Sequence, residues 1–261
     1  MSSAHTTILV FDSGIGGLTV FREVVHVRPD AHFVYAADDA AFPYGDLDED
    51  ALIARVRKVM GELIEQHHPD LVVIACNTAS TLALGELRAK FKVPFVGTVP
   101  AIKPACAQSK SKLVTVLGTQ ATVGREYTRA LIREFAGNCE VSLVGSAHLA
   151  TYAEAELNGN PVDDKDIAAE IKPCFVLDDK RHTDTIVLAC THYPLLFERL
   201  RKNAPWPVSW VDPAPAIARR VVDLIGPSKG HHGATQWRLV FTSGKPPSPA
   251  LSRALPHYGL H

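Results

Sequence analysis

The stretch VVIACNTAS, residues 72–80, has a second version further along the chain in IVLACTHYP, residues 186–194. In both, an aliphatic run is followed by Ala-Cys and then by two polar residues. A short aliphatic run that ends at polar residues is typical of a buried strand in a parallel sheet. The sequence therefore predicts two equivalent strands, followed directly by Cys76 and Cys190.

A looser correspondence precedes each of these stretches. ILVFDSGIGG at 8–17 is similar to VTVLGTQATV at 114–123, and the two pairs occur in the same order along the chain. An internal repeat of this kind is the signature of a duplicated supersecondary unit. We therefore expect two α/β halves of similar topology.

The rest of the chain alternates short β-branched runs with longer amphipathic stretches, which predicts βαβ units and helix-covered parallel sheets. The fold class is α/β, with two pseudo-symmetric domains, each a mainly parallel sheet flanked by helices. Strands are predicted at 7–11, 32–35, 71–75, 95–97, 113–117, 140–144, 185–189, 208–211 and 238–241. Helices are predicted at 18–27, 48–67, 81–90, 126–135, 165–177 and 194–202.

Proline-containing segments suggest where the chain changes domain. VGTVPAIKPA at 96–105 interrupts the pattern once, and the prolines around 205–207 interrupt it again. We expect a first domain of residues 1–97 plus 208–261 and a second domain of residues 98–207.

Composition excludes several classes of protein. The 261 residues carry 27 Lys and Arg against 28 Asp and Glu, a net charge of −1, which gives no broad footprint for nucleic acid or an acidic membrane. No signal peptide and no long apolar span are recognisable. The five cysteines are odd in number and form no CxxC pair, which favours reduced thiols in a cytoplasm and no metal site.

The two cysteines after the repeated strands are placed for chemistry. In open parallel sheets the functional crevice lies beyond the carboxyl ends of the strands, and a helix N-terminus there favours a thiolate. Two thiols in equivalent loops suit a reaction that needs an acid or base on both faces of one carbon. Inversion of a stereocentre next to a carboxylate has that requirement, because one thiolate removes the proton while the other thiol supplies a new one.

Five motifs together resemble the glutamate racemase family within the aspartate/glutamate racemases, in matching order across nearly the whole chain. They are DSGIGGLTV (12–20), FPYG (42–45), ACNTAS (75–80), GTQATVG (118–124) and LACTHYPLL (188–196). The resemblance implies interconversion of L- and D-glutamate without pyridoxal phosphate or a metal, to supply D-glutamate for bacterial peptidoglycan. It also implies an active site in the cleft between the domains, and a homodimer.

The resemblance assigns roles position by position. Cys76 and Cys190 are implied as the acid and base, with Asp12 and His192 beside them. The implied substrate-binding set is Asp12, Ser13, Tyr44, Gly45, Asn77, Thr78, Thr119, Thr122, Thr191 and His192. Pro43 and Glu154 are further candidates, and either Asp38 or Asp39 is expected to line the cleft.

Other functions remain alternatives at this point. The glycines of DSGIGG after a strand imitate a dinucleotide fingerprint, although Asp12 would repel a pyrophosphate and Thr19 stands in place of the third glycine. A cysteine hydrolase or a zinc site would use Cys190 with His192, but neither explains the second thiol. A non-catalytic binding protein and an aspartate racemase are the remaining alternatives.

Overall fold

The computed structural model describes residues 5–178, 180–228, 230 and 236–260. The chain divides into two units, one made of Met1–Thr98 with Ala214–His261 and the other of Val99–Pro213. Each unit carries its own parallel sheet. The predicted α/β class with one mainly parallel sheet in each domain is confirmed.

The strands of the described residues follow most of the predicted runs. In chain order they are β1 (Thr7–Asp12), β2 (His32–Ala37), β3 (Leu71–Ile74), β4 (Phe95–Gly97), β5 (Leu113–Thr119), β6 (Glu140–Ser146), β7 (Leu177–Asp178), β8 (Arg181–His182), β9 (Thr185–Ala189), β10 (Ser209–Val211) and β11 (Trp237–Phe241).

The α-helices of the same residues lie mainly between the strands. They are α1 (Leu18–Val27), α2 (Glu49–His67), α3 (Asn77–Lys90), α4 (Ile102–Gln108), α5 (Gln120–Gly124), α6 (Glu126–Phe135), α7 (Leu149–Leu157), α8 (Asp164–Ile171), α9 (Phe197–Asn203), α10 (Ala214–Ile225) and α11 (Pro249–Ala254).

The first unit is built on a five-stranded sheet in the order β11-β2-β1-β3-β4, in which every pair is parallel. Leu9, Val34 and Val72 on one face pack against buried residues of α2 such as Leu52 and Val56. Parallel sheets need this cover because both faces of their strands are apolar. The other face carries Phe33 and Tyr35, whose rings pack edge to face against Phe21 of α1.

The second unit is built on a four-stranded parallel sheet in the order β10-β9-β5-β6. Leu117 and Leu188 on one face pack against α7 and α8, and Val116 and Val187 on the other pack against α4. The short strands β7 and β8 pair antiparallel outside this sheet.

The two sheets share one topology. β2-β1-β3-β4 of the first unit corresponds to β6-β5-β9-β10 of the second, so that β3 and β9, which precede Cys76 and Cys190, occupy equivalent positions. This correspondence is what the sequence repeat predicts. β11 is an addition at the far edge of the first sheet.

The same correspondence explains a difference from the expected domain boundary. We expected residues 208–261 to return to the first domain, but β10 pairs with β9 in the second sheet, with Trp210 opposite Ile186. The chain crosses back only after Pro213. The prolines at 205 and 207 interrupt the chain without ending the unit, because β10 completes the four-stranded pattern.

Helix bounds differ from expectation where local chemistry overrides periodicity. The helix predicted at 165–177 ends at Ile171, and Pro173 lies in a 3-10 turn that precedes β7. A proline lacks the N–H that a continuing helix needs. Periodicity also misses α4, α5, α7, α10 and α11. Among these, α10 carries Pro215 in its first turn, a position where a helix tolerates proline.

The described residues contain no helix long and apolar enough to cross a membrane.

Gly17 and Gly85 provide a matched test of packing. A Cβ on Gly17 would lie 2.8 Å from the Cβ of Asp12 and 3.0 Å from the Tyr35 hydroxyl, whereas one on Gly85 of α3 meets nothing within 4 Å. Gly17→Ala should therefore lower the denaturation midpoint, while Gly85→Ala should raise the free energy of unfolding by about 0.5–1 kcal/mol. Thermal and denaturant unfolding of both variants checks this, and a stabilising Gly17→Ala would contradict the packing.

Asp184 predicts acid sensitivity in the second unit. Burial would raise the pKa of its carboxyl, but donors including Ser111 N–H, the Ser109 hydroxyl and Lys110 N–H lower it to about 2. A carboxyl with a lowered pKa stabilises the fold above its unfolded pKa of about 4, and this contribution is lost as the pH falls to about 2. Asp184→Asn should thus destabilise the protein near neutral pH, with a deficit that shrinks on acidification. A deficit independent of pH in denaturant titrations would contradict this.

Candidate active site

In the first unit, parallel pairing brings the carboxyl ends of β1 and β3 together. Phe11 lies opposite Ile74, so Asp12 and Ser13 leave one strand beside the point where Ala75 and Cys76 leave the other. The N–H of Ala75 donates to the carbonyl of Phe11 at 2.8 Å and continues this pairing. Three predicted site residues, Asp12, Ser13 and Cys76, are thereby placed at one sheet edge.

The Cys76 sulfur caps α3. The N–H of Ala79 donates to the Cys76 Sγ at 3.5 Å, and the thiol donates to the Ser13 hydroxyl oxygen at 3.7 Å. The helix therefore begins at Asn77, four residues before the predicted start at residue 81. The cap comes from the sulfur rather than from Asn77 or Thr78. Partial positive charge at this helix end favours the thiolate form of Cys76.

Asp12 organises the glycine-rich loop. Its carboxylate accepts hydrogen bonds from the N–H groups of Gly14 at 3.2 Å and Gly17 at 3.1 Å, and its carbonyl accepts one from Asp38. Asp12 and Ser13 are both buried. The carboxylate thus holds the loop in which Ser13 faces Cys76.

Asp38 forms a buried polar cluster rather than an open edge of the site. Its carboxylate accepts from the Tyr44 hydroxyl at 2.5 Å, from Arg55 Nε at 2.9 Å, and from the hydroxyl of Thr242 at 2.6 Å. Burial would raise the pKa of Asp38, but these hydrogen bonds lower it below its ordinary value. Asp39 instead accepts from the N–H and hydroxyl of Ser243.

The segment around Tyr44 lies close to Cys76. Tyr44 is buried in the same apolar cluster as Cys76 and Ala79, and the flanking Pro43 and Gly45 are half-buried. Burial, and then the charge of Asp38, raise the pKa of Tyr44 far above its ordinary value. Tyr44 is therefore a neutral phenol whose hydroxyl donates a hydrogen bond to Asp38.

Asn77 has an unusual environment. Both its amide oxygen and its amide nitrogen are buried, and neither has a hydrogen-bond partner among the described residues. Buried amides are almost always hydrogen-bonded, so an orphaned amide beside a candidate catalytic thiol points to a ligand. Thr78, the next residue of α3, is buried in the same first turn.

In the second unit, Cys190 follows β9 and begins a relay of side chains. Its Sγ lies 3.8 Å from His192 Nδ1, and His192 Nε2 lies 2.9 Å from a carboxylate oxygen of Glu154 on α7. Cys190 and His192 are buried, while Glu154 retains some exposure. The geometry brings the candidate Glu154 into contact with His192.

The remaining candidates of this unit lie at the end of β5 or directly after Cys190. Gly118 pairs with Ala189, so Thr119 leaves β5 beside Cys190. The Thr119 hydroxyl caps α5 by accepting from the N–H of Thr122 at 3.1 Å. Thr191, which follows Cys190 directly, is buried.

Several neighbours of the candidate residues were not predicted. Arg55 and Thr242 contact Asp38 from distant parts of the chain and carry no local motif. Tyr193 lies in LACTHYPLL and is fully buried; burial, and then the nearby Cys190, raise its pKa. Its position in a motif was the available signal for Tyr193.

No set of three or more His, Cys, Asp or Glu side chains in the described part of the chain is arranged to hold a metal ion. The contacts of the Cys76 thiol with Ser13 and of the Cys190 thiol with His192 are of a kind that can transfer protons.

Comparison with known proteins agrees with these features. The sequence profile of the family described as Asp/Glu/Hydantoin racemase matches residues 20–221. Glutamate racemase of Brucella anthropi is 51% identical over 266 aligned positions, covering 100% of this chain and 94% of that protein. Glutamate racemase of Sinorhizobium fredii is 52% identical, covering 97% of this chain and 95% of that protein.

A solved structure shows the same fold at full length. The crystal structure of Escherichia coli glutamate racemase in complex with L-glutamate and the activator UDP-MurNAc-Ala is 40% identical and superposes with a TM-score of 0.88. The match covers 97% of this chain and 95% of that one. The chain therefore belongs to the Asp/Glu/Hydantoin racemase family.

Proposed function

We propose that this protein is a glutamate racemase that interconverts L- and D-glutamate with two thiols and without pyridoxal phosphate or a metal. The observation that carries the proposal is the placement of Cys76 and Cys190 directly after topologically equivalent strands, β3 and β9. The high identity to glutamate racemases supports glutamate over aspartate as the substrate.

The reaction follows from the chemistry of two thiols on one α-carbon. A thiolate takes the α-proton from one face and leaves a carbanion-like centre, and the other thiol delivers its proton to the opposite face. No redox change occurs, and the two sulfurs exchange protonation states in each turnover. Positioned acids and bases contribute roughly 10²–10⁴-fold, so hydrogen bonds that stabilise the carbanion must add to the rate.

Cys190 has the groups needed to move a proton. Because the Glu154 carboxylate accepts from Nε2, the other ring nitrogen of a neutral His192 can accept the thiol proton. After transfer, the Glu154 charge stabilises the imidazolium that faces a thiolate. We propose His192 as the assistant of Cys190 and Glu154 as the residue that orients it.

Cys76 is assisted differently. It has the N-terminal turn of α3 and the hydroxyl of Ser13, and the loop that carries Ser13 is held by Asp12. We propose that the Ala79 N–H and the partial charge of the helix end stabilise the Cys76 thiolate, and that the Ser13 hydroxyl, which accepts from the thiol, turns to donate to the sulfur once the proton has left.

The proposed substrate-binding groups are neutral donors. Hydroxyl and amide side chains and helix-end N–H groups bind carboxylates without requiring many cations. Asn77 is the best-supported member, because its amide is buried and without a partner among the described residues. The others are Ser13, Thr78, Thr119, Thr122 and Thr191, together with Tyr44 and Gly45 through their backbone N–H groups, because the Tyr44 hydroxyl already donates to Asp38. Asp12 and His192 lie next to the thiols, and Pro43 precedes Tyr44.

The competing dinucleotide function is disfavoured by a specific contact. The N–H groups of Gly14 and Gly17, which would have to bind a pyrophosphate, donate to the carboxylate of Asp12. A pyrophosphate there would displace these bonds and meet a negative charge.

In the cell, we propose that the enzyme acts in the cytoplasm, as a homodimer, and supplies D-glutamate for peptidoglycan and thus for cell wall and cell shape. Membership of the racemase family and the 51% identity to a glutamate racemase support this role.

The two-thiol mechanism is tested by racemisation in deuterated water. L-Glutamate should yield D-glutamate with deuterium at the α-carbon, because the donating thiol exchanges its proton with solvent. Cys76→Ala and Cys190→Ala should each lower kcat by at least roughly 10²–10⁴-fold. Cys139→Ser, which retains a donor for the carbonyl of Cys106, is the matched control and should remain active.

Polarimetry and mass spectrometry distinguish the outcomes of that experiment. Folded wild-type protein that incorporates no deuterium would reject racemisation. Full activity in either cysteine variant would reject the two-thiol mechanism but would leave racemisation itself intact. Faster exchange with L-aspartate would favour an aspartate racemase.

Asn77→Ala should separate binding from stability. Among the described residues the Asn77 amide has no hydrogen-bond partner that the substitution could remove. The unfolding midpoint of the free protein should therefore change little. Loss of a hydrogen bond to a charged substrate is worth about 1.5–3 kcal/mol, so kcat/KM should fall roughly 10- to 100-fold. Because the enantiomers have equal free energies in water, the fall must be equal in both directions.

Thr81→Val is the control for Asn77→Ala. Thr81 lies one turn later on α3, and its acceptors among the described residues are two helix carbonyls, at 3.1 and 3.2 Å. The Thr81→Val substitution should leave kcat/KM near the wild-type value. An Asn77→Ala variant with unchanged kcat/KM would show that this amide does not bind substrate.

A further inference from the structure

We propose that Arg55, a residue of α2 outside every motif, is a positioning residue for the Cys76 thiol and acts through Asp38 and Tyr44. The inference rests on the proposed function, because it concerns how one of the two proposed acid–base groups is held. It assigns a role to a side chain that does not itself touch the thiol.

The first step is the contact between Arg55 and Asp38. Arg55 Nε donates to one carboxylate oxygen at 2.9 Å, and its Nη2 donates to the other at 2.5 Å. Asp38 is 0% exposed, whereas the Arg55 side chain is 32% exposed. A guanidinium fork fixes both the charge and the orientation of a carboxylate. Arg55 thus neutralises a fully buried charge from the surface of the unit.

The second step is the contact between Asp38 and Tyr44. The carboxylate oxygen that accepts from Arg55 Nε also accepts from the Tyr44 hydroxyl. Thr242 donates to the other oxygen, so four donors from three side chains converge on the group. The position of the Tyr44 phenol is therefore set by a carboxylate that Arg55 orients.

The third step is the contact between Tyr44 and the segment of the thiol. Tyr44 and Cys76 are buried in one cluster, together with Ala79, whose N–H caps the sulfur. The 3-10 turn Tyr44–Asp46 packs on α3, the helix that begins after Cys76. A displaced phenol would change the packing and the field around the sulfur without removing any group of the proposed catalytic set.

Removal of Arg55 has a definite physical consequence. Among the described residues, Asp38 would keep only the side chains of Thr242 and Tyr44 as donors to its carboxylate. It would become a buried charge without its counterion, which is strongly unfavourable. The carboxyl must then protonate, or Tyr44 must shift to admit water. Either change reaches Cys76, whereas Cys190 belongs to the other unit and has its own partners.

Arg57 provides the matched control. It lies two residues further along α2, is 49% exposed, and pairs with Glu86 of α3 at 3.8 Å. An exposed ion pair of this kind contributes little to the free energy of unfolding. Arg57→Ala removes the same side chain from the same helix without touching Asp38.

The first experiment measures thiol reactivity and turnover together. Iodoacetamide alkylation of Cys76 and Cys190, resolved by peptide mass spectrometry, is compared for wild type, Arg55→Ala, Arg55→Lys and Arg57→Ala. In Arg55→Ala, the alkylation rate of Cys76 should change by about tenfold, the factor that one unit of thiol pKa produces, while Cys190 keeps its rate. A faster rate identifies a protonated Asp38 or a displaced Tyr44 that admits water, and a slower rate identifies an Asp38 charge left without its counterion. The kcat for glutamate should fall about tenfold with a smaller change in KM.

Arg55→Lys keeps the charge and loses the fork, so it should give an intermediate rate and serves if Arg55→Ala fails to fold. Arg57→Ala should match wild type. An equal change in the rates of both cysteines, or a changed rate in Arg57→Ala, would overturn the proposal, as would unchanged Cys76 reactivity in folded Arg55→Ala.

A double-mutant cycle tests the route through Tyr44. If Arg55 acts through the phenol, Arg55→Ala should lower kcat and change Cys76 reactivity in the wild-type background but add little in the Tyr44→Phe background. Additive effects would show that Arg55 acts by another route and would reject this one. Alkylation does not depend on turnover. Absence of racemase activity would therefore disprove the proposed function, while the difference between the alkylation rates of Cys76 and Cys190 would still decide the role of Arg55.

Discussion

Parallel pairing of two neighbouring strands is the constraint that positions the candidate residues around each of the two cysteines. β1 pairs with β3 in the first unit and β5 with β9 in the second, and parallel strands end at the same edge of a sheet. This places the loop after one strand beside the cysteine after the other. The four-strand order is the same in both units, so both cysteines follow a strand at the same position of the sheet.

The two thiols nevertheless have different surroundings, which has consequences for the chemistry. Cys76 is capped by an N–H and bonded to Ser13, so its assistance comes from helix-end donors. Cys190 faces His192, whose ring contacts Glu154, so its proposed assistance comes from a side-chain relay. A duplicated scaffold thus carries two proposed acid–base groups with unlike neighbours.

The buried polar groups divide into those already satisfied and those that are not. Asp38 is surrounded by Arg55, Thr242 and Tyr44, and such a saturated carboxylate stabilises and orients rather than binds a ligand. The Asn77 amide has no partner among the described residues, which supports its proposed role in substrate binding. Burial and hydrogen bonding together therefore separate supporting residues from candidate ligand-binding residues more clearly than motif membership does.

The sequence by itself determined the α/β class, the repeat and the placement of Cys76 and Cys190 at strand ends, because these depend on local periodicity and on short motifs. It could not place β10 in the second sheet, since a three-residue strand beside prolines carries no signal of which sheet it joins. Only the tertiary structure brought Arg55 and Thr242 to Asp38 and Glu154 to His192. Those contacts join residues 17, 204 and 38 positions apart, and hydrogen bonds over such separations are set by chain packing rather than by any local pattern.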